Sequence, residues 1–129
     1  MNSKLYLTIS AIVMFLYGIS FVLFPAEASA PYGIPPEPHF FMEARFFGSA
    51  LLALSVTSWL ARDVKDWLAV RAVLIGAVVG YGISTIVLIW STTQGLLNQL
   101  GWGSTVLNIL LLLGALYCLS AGSRLAPAR

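Results

Sequence analysis

Apolar residues gather into four runs, at about 5–24, 40–60, 67–90 and 104–121, and polar residues gather between them. None of the runs alternates with a period of two, so strands are not indicated. Each is close to the ~20 residues that a helix needs to cross the hydrocarbon core of a bilayer. Apart from closed barrels, only helices satisfy their own backbone groups in lipid. The pattern predicts an all-α protein, an integral membrane four-helix bundle in up-down order, with residues 1–129 forming a single transmembrane domain. Lys4, the first run and Ala28-Ser29-Ala30 imitate a secretory signal, but the run is too long and Pro31 follows the cleavage pattern, so a retained helix is expected.

Composition strengthens this reading. Hydrophobic residues make up 59% of the chain, charged residues 9%, and the mean hydropathy is +0.89. A soluble domain carries about 25% charged residues, so this chain lacks the material for an ordinary wetted surface. A net charge of +2 without a basic run excludes nucleic acid as a partner. The single cysteine, Cys118, allows no internal disulfide and is expected to act as a small hydrophobe near the inner end of the fourth helix.

The few basic residues set an orientation. Lys4 precedes the first run, Arg62, Lys65 and Arg71 surround the second connection, and Arg124 and Arg129 follow the fourth run. The other two connections have none, so six of the seven basic residues fall on one side, Arg45 being the exception. The positive-inside rule then places both termini in the cytoplasm. Phe24, Tyr32, Phe40, Trp90 and Trp102 suit an outer aromatic belt, and Tyr6, Trp59 and Trp67 an inner one.

The connections differ in character. "ARDVKD" is short and predicts a tight antiparallel pair of the second and third helices, with Arg62 and Asp66 spaced to bridge one turn. The outer loop at 25–39 holds five of the six prolines and is expected to be stiff, partly extended and not helical. In the third connection, Gly95, Gly101 and Gly103 are the expected turn points.

The candidate chemistry lies in "FFMEARFFGS". Arg45 falls some five residues inside the outer end of the second helix, or ~7–8 Å at the helical rise. It shares a stripe with Gly48, Leu52 and Ser55, whereas Glu43 points elsewhere, one turn after His39. A charge at that depth is costly in lipid and is a functional-site hypothesis by default. Counting inward from the outer ends brings Tyr17 and Ser20, Ser84 and Thr85, and Asn108 to the same level. The acids on that side are Glu27, Glu37 and Glu43. An outer-half polar pocket is therefore expected, with Arg45 turned inward and held by one of those carboxylates. It either pins the loop or binds the anionic head of a lipid-like ligand, with Glu43, Tyr17, Ser20, Ser84 and Asn108 as the other candidates.

A second feature is the small-residue stripe Ala72, Gly76, Gly80 and Ser84, which contains "GAVVG". Such stripes let helices approach closely, either within one chain or across a homodimer. His39 stands alone, with no second histidine or cysteine near it to complete a metal site. No nucleophile–base arrangement, phosphate loop or catalytic acid pair is present, and nothing names a cofactor.

"EARFFGSALLALSVTSWLARD" and "GLLNQLGWGSTVLNILLLLGALYCL", with the spacing between them, resemble a broad set of small bacterial four-helix membrane proteins built on a domain of unknown function. The resemblance covers about the last two-thirds of the chain, and Arg45, Gly48, Asn98, Gly101 and Trp102 are its most specific residues. It implies a four-helix architecture in a bacterial inner membrane and assigns no reaction. Small four-helix multidrug transporters are also of this size, but they carry an acid within the first helix, where this chain has none. Two expectations stand. One is a non-enzymatic accessory subunit that binds a membrane-protein partner, a second copy or a lipid. The other is a membrane enzyme or carrier for an anionic amphiphile held by Arg45.

Overall fold

The computed structural model of the chain describes residues 2–125, so Arg129 lies outside the described residues. Among these are the helices α1 (Ser3–Leu23), α2 (Pro25–Ser29), α3 (Pro38–Ala61), α4 (Trp67–Thr93) and α5 (Leu100–Leu125), with one 3-10 turn at Ala30–Tyr32. Four of them, all but the short α2, are long and apolar enough to cross a membrane.

The helix limits follow from local chemistry. The Asn2 side chain accepts the Leu5 N–H at 2.8 Å and caps α1. α1 stops before Pro25, because the proline ring disfavours helical backbone at Phe24, which sits at φ −129° and ψ 56°. Pro25 then opens α2, since a proline at the first helical position has its φ preset and needs no N–H partner. The outer loop is thus more helical than expected, with irregular chain left only at 34–37, where Glu37 N–H turns back to Pro35 O at 3.0 Å. Pro38 opens α3 in the same way. Asp66 caps α4 by accepting from Leu68 N–H at 3.1 Å. α4 ends where Gly95 adopts φ +73°; Gly95 N–H returns to Thr92 O at 3.2 Å and Leu96 N–H to Ser91 O at 2.9 Å. Gly95 is therefore a turn point, but Gly101 and Gly103 lie inside α5, which begins earlier than expected because Asn98 Oδ1 caps Leu100 N–H at 2.9 Å.

The helices pack as two pairs. α1 and α3 run antiparallel along their length, from Lys4 beside Asp63 (2.6 Å), past Ser55 Oγ donating to Ala11 O (2.8 Å), to the meeting of Gly18 and Gly48. α4 and α5 do the same, with the Trp67 ring filling the space beside Gly122 and Thr92 filling that beside Gly101. The pairs meet over a core of Leu7, Met14, Leu74, Ala77, Leu111, Ala115 and Cys118. Two phenols fasten it: Tyr6 donates to Leu111 O at 3.0 Å, and Tyr81 shares a 2.6 Å hydrogen bond with Ser10. Tyr6 is thus a core residue, 2% exposed, and does not belong to an inner aromatic belt.

The tight pairing expected of α3 and α4 does not occur. Their inner ends are tied by the short connection, but the helices touch little beyond it. The small-residue stripe of α4 faces the space that is left: a Cβ built on Gly76 or Gly80 would meet nothing within 4 Å. α4 packs along α5 instead, and Tyr81 links it to Ser10 of α1. The close approach within the chain lies at Gly18 and Gly48.

Candidate functional site

Arg45 does not enter the bundle. It is exposed beside the last turn of α1, and its Nε donates to Val22 O at a long 3.4 Å. Val22 is among the last residues of α1, whose final carbonyls have no partner within the helix. A guanidinium there also meets the negative end of the helix dipole. This position lies level with the end of α1 because that helix stops at Leu23, ahead of Pro25. The hydrogen bond of the Arg45 side chain is to the Val22 carbonyl and not to a carboxylate. Among the described residues the ion pairs are Lys4–Asp63 and Arg62–Asp63, at the opposite end. Glu43 and His39 are exposed and make no hydrogen bond with each other.

The other residues expected around Arg45 bond elsewhere. Ser20 Oγ donates to Leu16 O at 2.7 Å, and Asn108 Nδ2 to Ser104 O at 3.1 Å. Thr85 Oγ1 donates to Tyr81 O at 2.7 Å, and Ser84 makes no hydrogen bond. A hydroxyl on a helix readily satisfies itself on the carbonyl one turn back, which removes the need to converge on a charge.

What does form at the outer end is a clamp between the proline-rich loop and the start of α5. Tyr32 and Ser104 share a 2.7 Å hydrogen bond, Asn98 Nδ2 donates to Pro31 O at 2.7 Å, and Asn98 N–H donates to Tyr32 O at 3.0 Å. Gly33, at φ +77°, turns the chain against the Asn98 side chain. Burial raises the Tyr32 phenol above its ordinary range, the Ser104 hydroxyl draws it partly back, and the neighbouring Tyr17 phenol raises it again. Tyr17 thus belongs to this cluster. Asn98 is legible as a capping residue ahead of an apolar run, but its grip on Pro31 depends on the loop folding over it.

At the opposite end of the bundle, Arg62 does not bridge to Asp66. It stacks on Trp59, 3.3 Å from the ring centroid, and donates to Asp63 Oδ2 at 3.2 Å. Lys4 first and Arg62 second hold the Asp63 carboxyl below its usual range.

The space left between α3 and α4 is the more informative site. It is a groove of about 330 Å³, walled on α4 by Ala72, Gly76, Gly80 and Tyr81 and on α3 by Leu54 and Ser58. Ser58 is 5% exposed, and its hydroxyl makes no hydrogen bond. The sequence marks the glycine stripe, but nothing in it singles out Ser58 from Ser55, one turn earlier, which finds Ala11 O. A second hollow of about 360 Å³, lined by Phe15, Val56 and Trp59, lies between α1 and α3 and is almost wholly apolar. Compared with protein-family models, with curated proteins and with solved structures, the chain has no match.

Proposed function

We propose that the chain is a multi-pass protein of the bacterial inner membrane, an up-down transmembrane bundle with both termini in the cytoplasm. It acts without catalysis, by binding another membrane component in the plane of the bilayer as a small accessory or partner-binding subunit. The observation that carries this reading is the bare α4 stripe: Gly76 and Gly80 face open space at a groove instead of packing within their own chain. In lipid, helices associate through close backbone approach and hydrogen bonds, and small residues make that approach possible. The sequence resemblance favours the bacterial inner membrane, and the distribution of lysine and arginine favours cytoplasmic termini.

Native mass spectrometry of protein released gently from membranes tests this reading. A retained protein partner that is lost on Gly80→Leu is the expected result. A retained small molecule, with no protein partner and no response to Gly80→Leu, would overturn it. A second reading, a carrier or enzyme for an anionic amphiphile, is favoured by one observation. Arg45 is exposed at the outer rim and uses only Nε within the protein, which leaves its terminal amino groups for an anionic head.

A further inference from the structure

We propose that the occupant of the α3–α4 groove is a second copy of this chain, in a symmetric dimer formed across α4. The inference rests on the partner-binding reading and names the partner.

Two independent features of the groove converge. The first is steric: Gly76 and Gly80, four residues apart, leave the α4 backbone uncovered, with nothing within 4 Å of where a Cβ would stand. The second is chemical. Ser58 forms the facing wall, is 5% exposed, and has a hydroxyl without a hydrogen-bond partner. Of the other buried hydroxyls among the described residues, Ser29, Ser55, Thr85 and Thr105 donate to main-chain carbonyls and Ser10 and Ser104 pair with tyrosine hydroxyls. The Ser58 hydroxyl is open to the groove and can be met there by an acceptor on an occupant. A hydrocarbon chain offers none. A helix backbone offers carbonyls, provided it can approach, and the glycines allow that approach.

The chain already contains this arrangement in completed form. At the α1–α3 seam, Gly18 and Gly48 bring two backbones together, and Ser55 Oγ of α3 donates to Ala11 O of α1 at 2.8 Å. Ser58 and the Gly76/Gly80 stripe are the same parts with the second backbone absent.

The choice of a second copy follows from the shape of the face. Val79 and Ile83 each stand three residues beyond a groove glycine, on the same side of α4, and are 54% and 60% exposed. The face therefore carries a hollow and the projections to fill it side by side. A two-fold axis along the membrane normal sets each copy's projections against the other's hollow, and one surface serves both sides of the contact. No charged residue lines the groove, so two identical faces meet without repulsion. In this arrangement Ser58 donates to a main-chain carbonyl of the partner's α4.

The test uses the full chain, labelled at its N-terminus and diluted in vesicles of phosphatidylethanolamine and phosphatidylglycerol, with the dimer fraction counted by single-molecule photobleaching. Dimers are expected. Gly80→Leu is expected to shift the monomer–dimer midpoint by about tenfold or more, and Ser58→Ala to shift it in the same direction by less. Both variants should keep the thermal unfolding of the single chain in detergent, because the space beside Gly80 is open. Val79→Cys should cross-link to a second copy on mild oxidation, and Val56→Cys, at the other hollow, should not. If Gly80→Leu fails to fold, the cross-link decides. Monomers at every dilution, a midpoint indifferent to Gly80→Leu, or cross-linking at Val56 in place of Val79 would each overturn the dimer. If Val79→Cys in native membranes captures a different protein, the homodimer fails and the partner-binding reading stands. If the protein is monomeric and retains only lipid, both fail.

Discussion

Gly18 and Gly48 meet backbone to backbone: a Cβ on Gly48 would lie 2.7 Å from the Gly18 carbonyl oxygen, and one on Gly18 would lie 2.9 Å from the Gly48 carbonyl oxygen. Neither carbonyl can move without moving its helix. Gly48→Ala should therefore force α1 and α3 apart and destabilise the protein by about 1–3 kcal/mol, as overpacking does. Gly76→Ala meets no atom and should hold or raise the stability of the single chain, by up to about 1 kcal/mol from helix preference. Denaturant unfolding in detergent measures both. Equal responses from the two variants would contradict the placement of the seam.

Arg45 is expected to contribute little to stability. A single long hydrogen bond to Val22 O at a helix end is worth about 1 kcal/mol or less, so Arg45→Met should cost no more than that. A buried ion pair would instead cost about 3–5 kcal/mol on losing one member. A double-mutant cycle of Arg45 with Glu43 should return a coupling near zero, and similar cycles with Glu27 and Glu37 should agree.

Asn98 carries more weight than its exposure suggests, because it caps α5 and holds Pro31 at the same time. Asn98→Ala should cost about 1–3 kcal/mol. Asn98→Asp keeps the cap to Leu100 N–H but loses the donor to Pro31 O, so it should cost less in α5 and still free the loop. Limited proteolysis at 34–37 should be faster in both variants.

The Lys4–Asp63 contact should be sensitive to acid. The folded-state carboxyl titrates below its ordinary range, so the contribution is fully present above the unfolded value of about 4 and fades as the pH falls through the depressed folded value. Both side chains are largely exposed, at 64% and 57%, so the effect is small. Wild type and Asp63→Asn should differ most near neutral pH and converge in acid. Unfolding midpoints recorded from pH 7 downward check the sign.

The proposed orientation predicts that Ala30→Cys, an exposed position between α1 and α3, reacts with a membrane-impermeant thiol reagent in intact spheroplasts. Modification only after the inner face is opened would reverse the topology.

The four long helices were legible because length and apolarity act locally. The capping chemistry was not: Asn2 and Asp66 each lie just ahead of an apolar run, but Asp66 was expected to bridge Arg62 and caps α4 instead. The outer loop was legible only in part, because proline bars the interior of a helix but favours its first turn, and the sequence alone does not say which applies at Pro25. The placement of Arg45 turned on where α1 ends. A run counted from Phe40 put it inside the second helix, and it is α1, stopped at Leu23 ahead of Pro25, that leaves a helix end beside it. The close glycine contact at Gly18 and Gly48 was not singled out, whereas the α4 stripe was. Gly48 is covered by α1, and Gly76 is open because α4 packs along α5.

The division into α1 with α3 and α4 with α5 matches the order in which a ribosome releases them. Each pair is made of consecutive spans and closed by its own contacts, so the first can finish assembling while the second is still being synthesised. Joining them is then a separate step, made by the shared core and by three polar links: Tyr6 on Leu111, Ser10 with Tyr81, and the clamp of Asn98 and Tyr32 over the top. Two fragments severed within 62–66 would keep every one of those groups and could recognise each other after separate insertion.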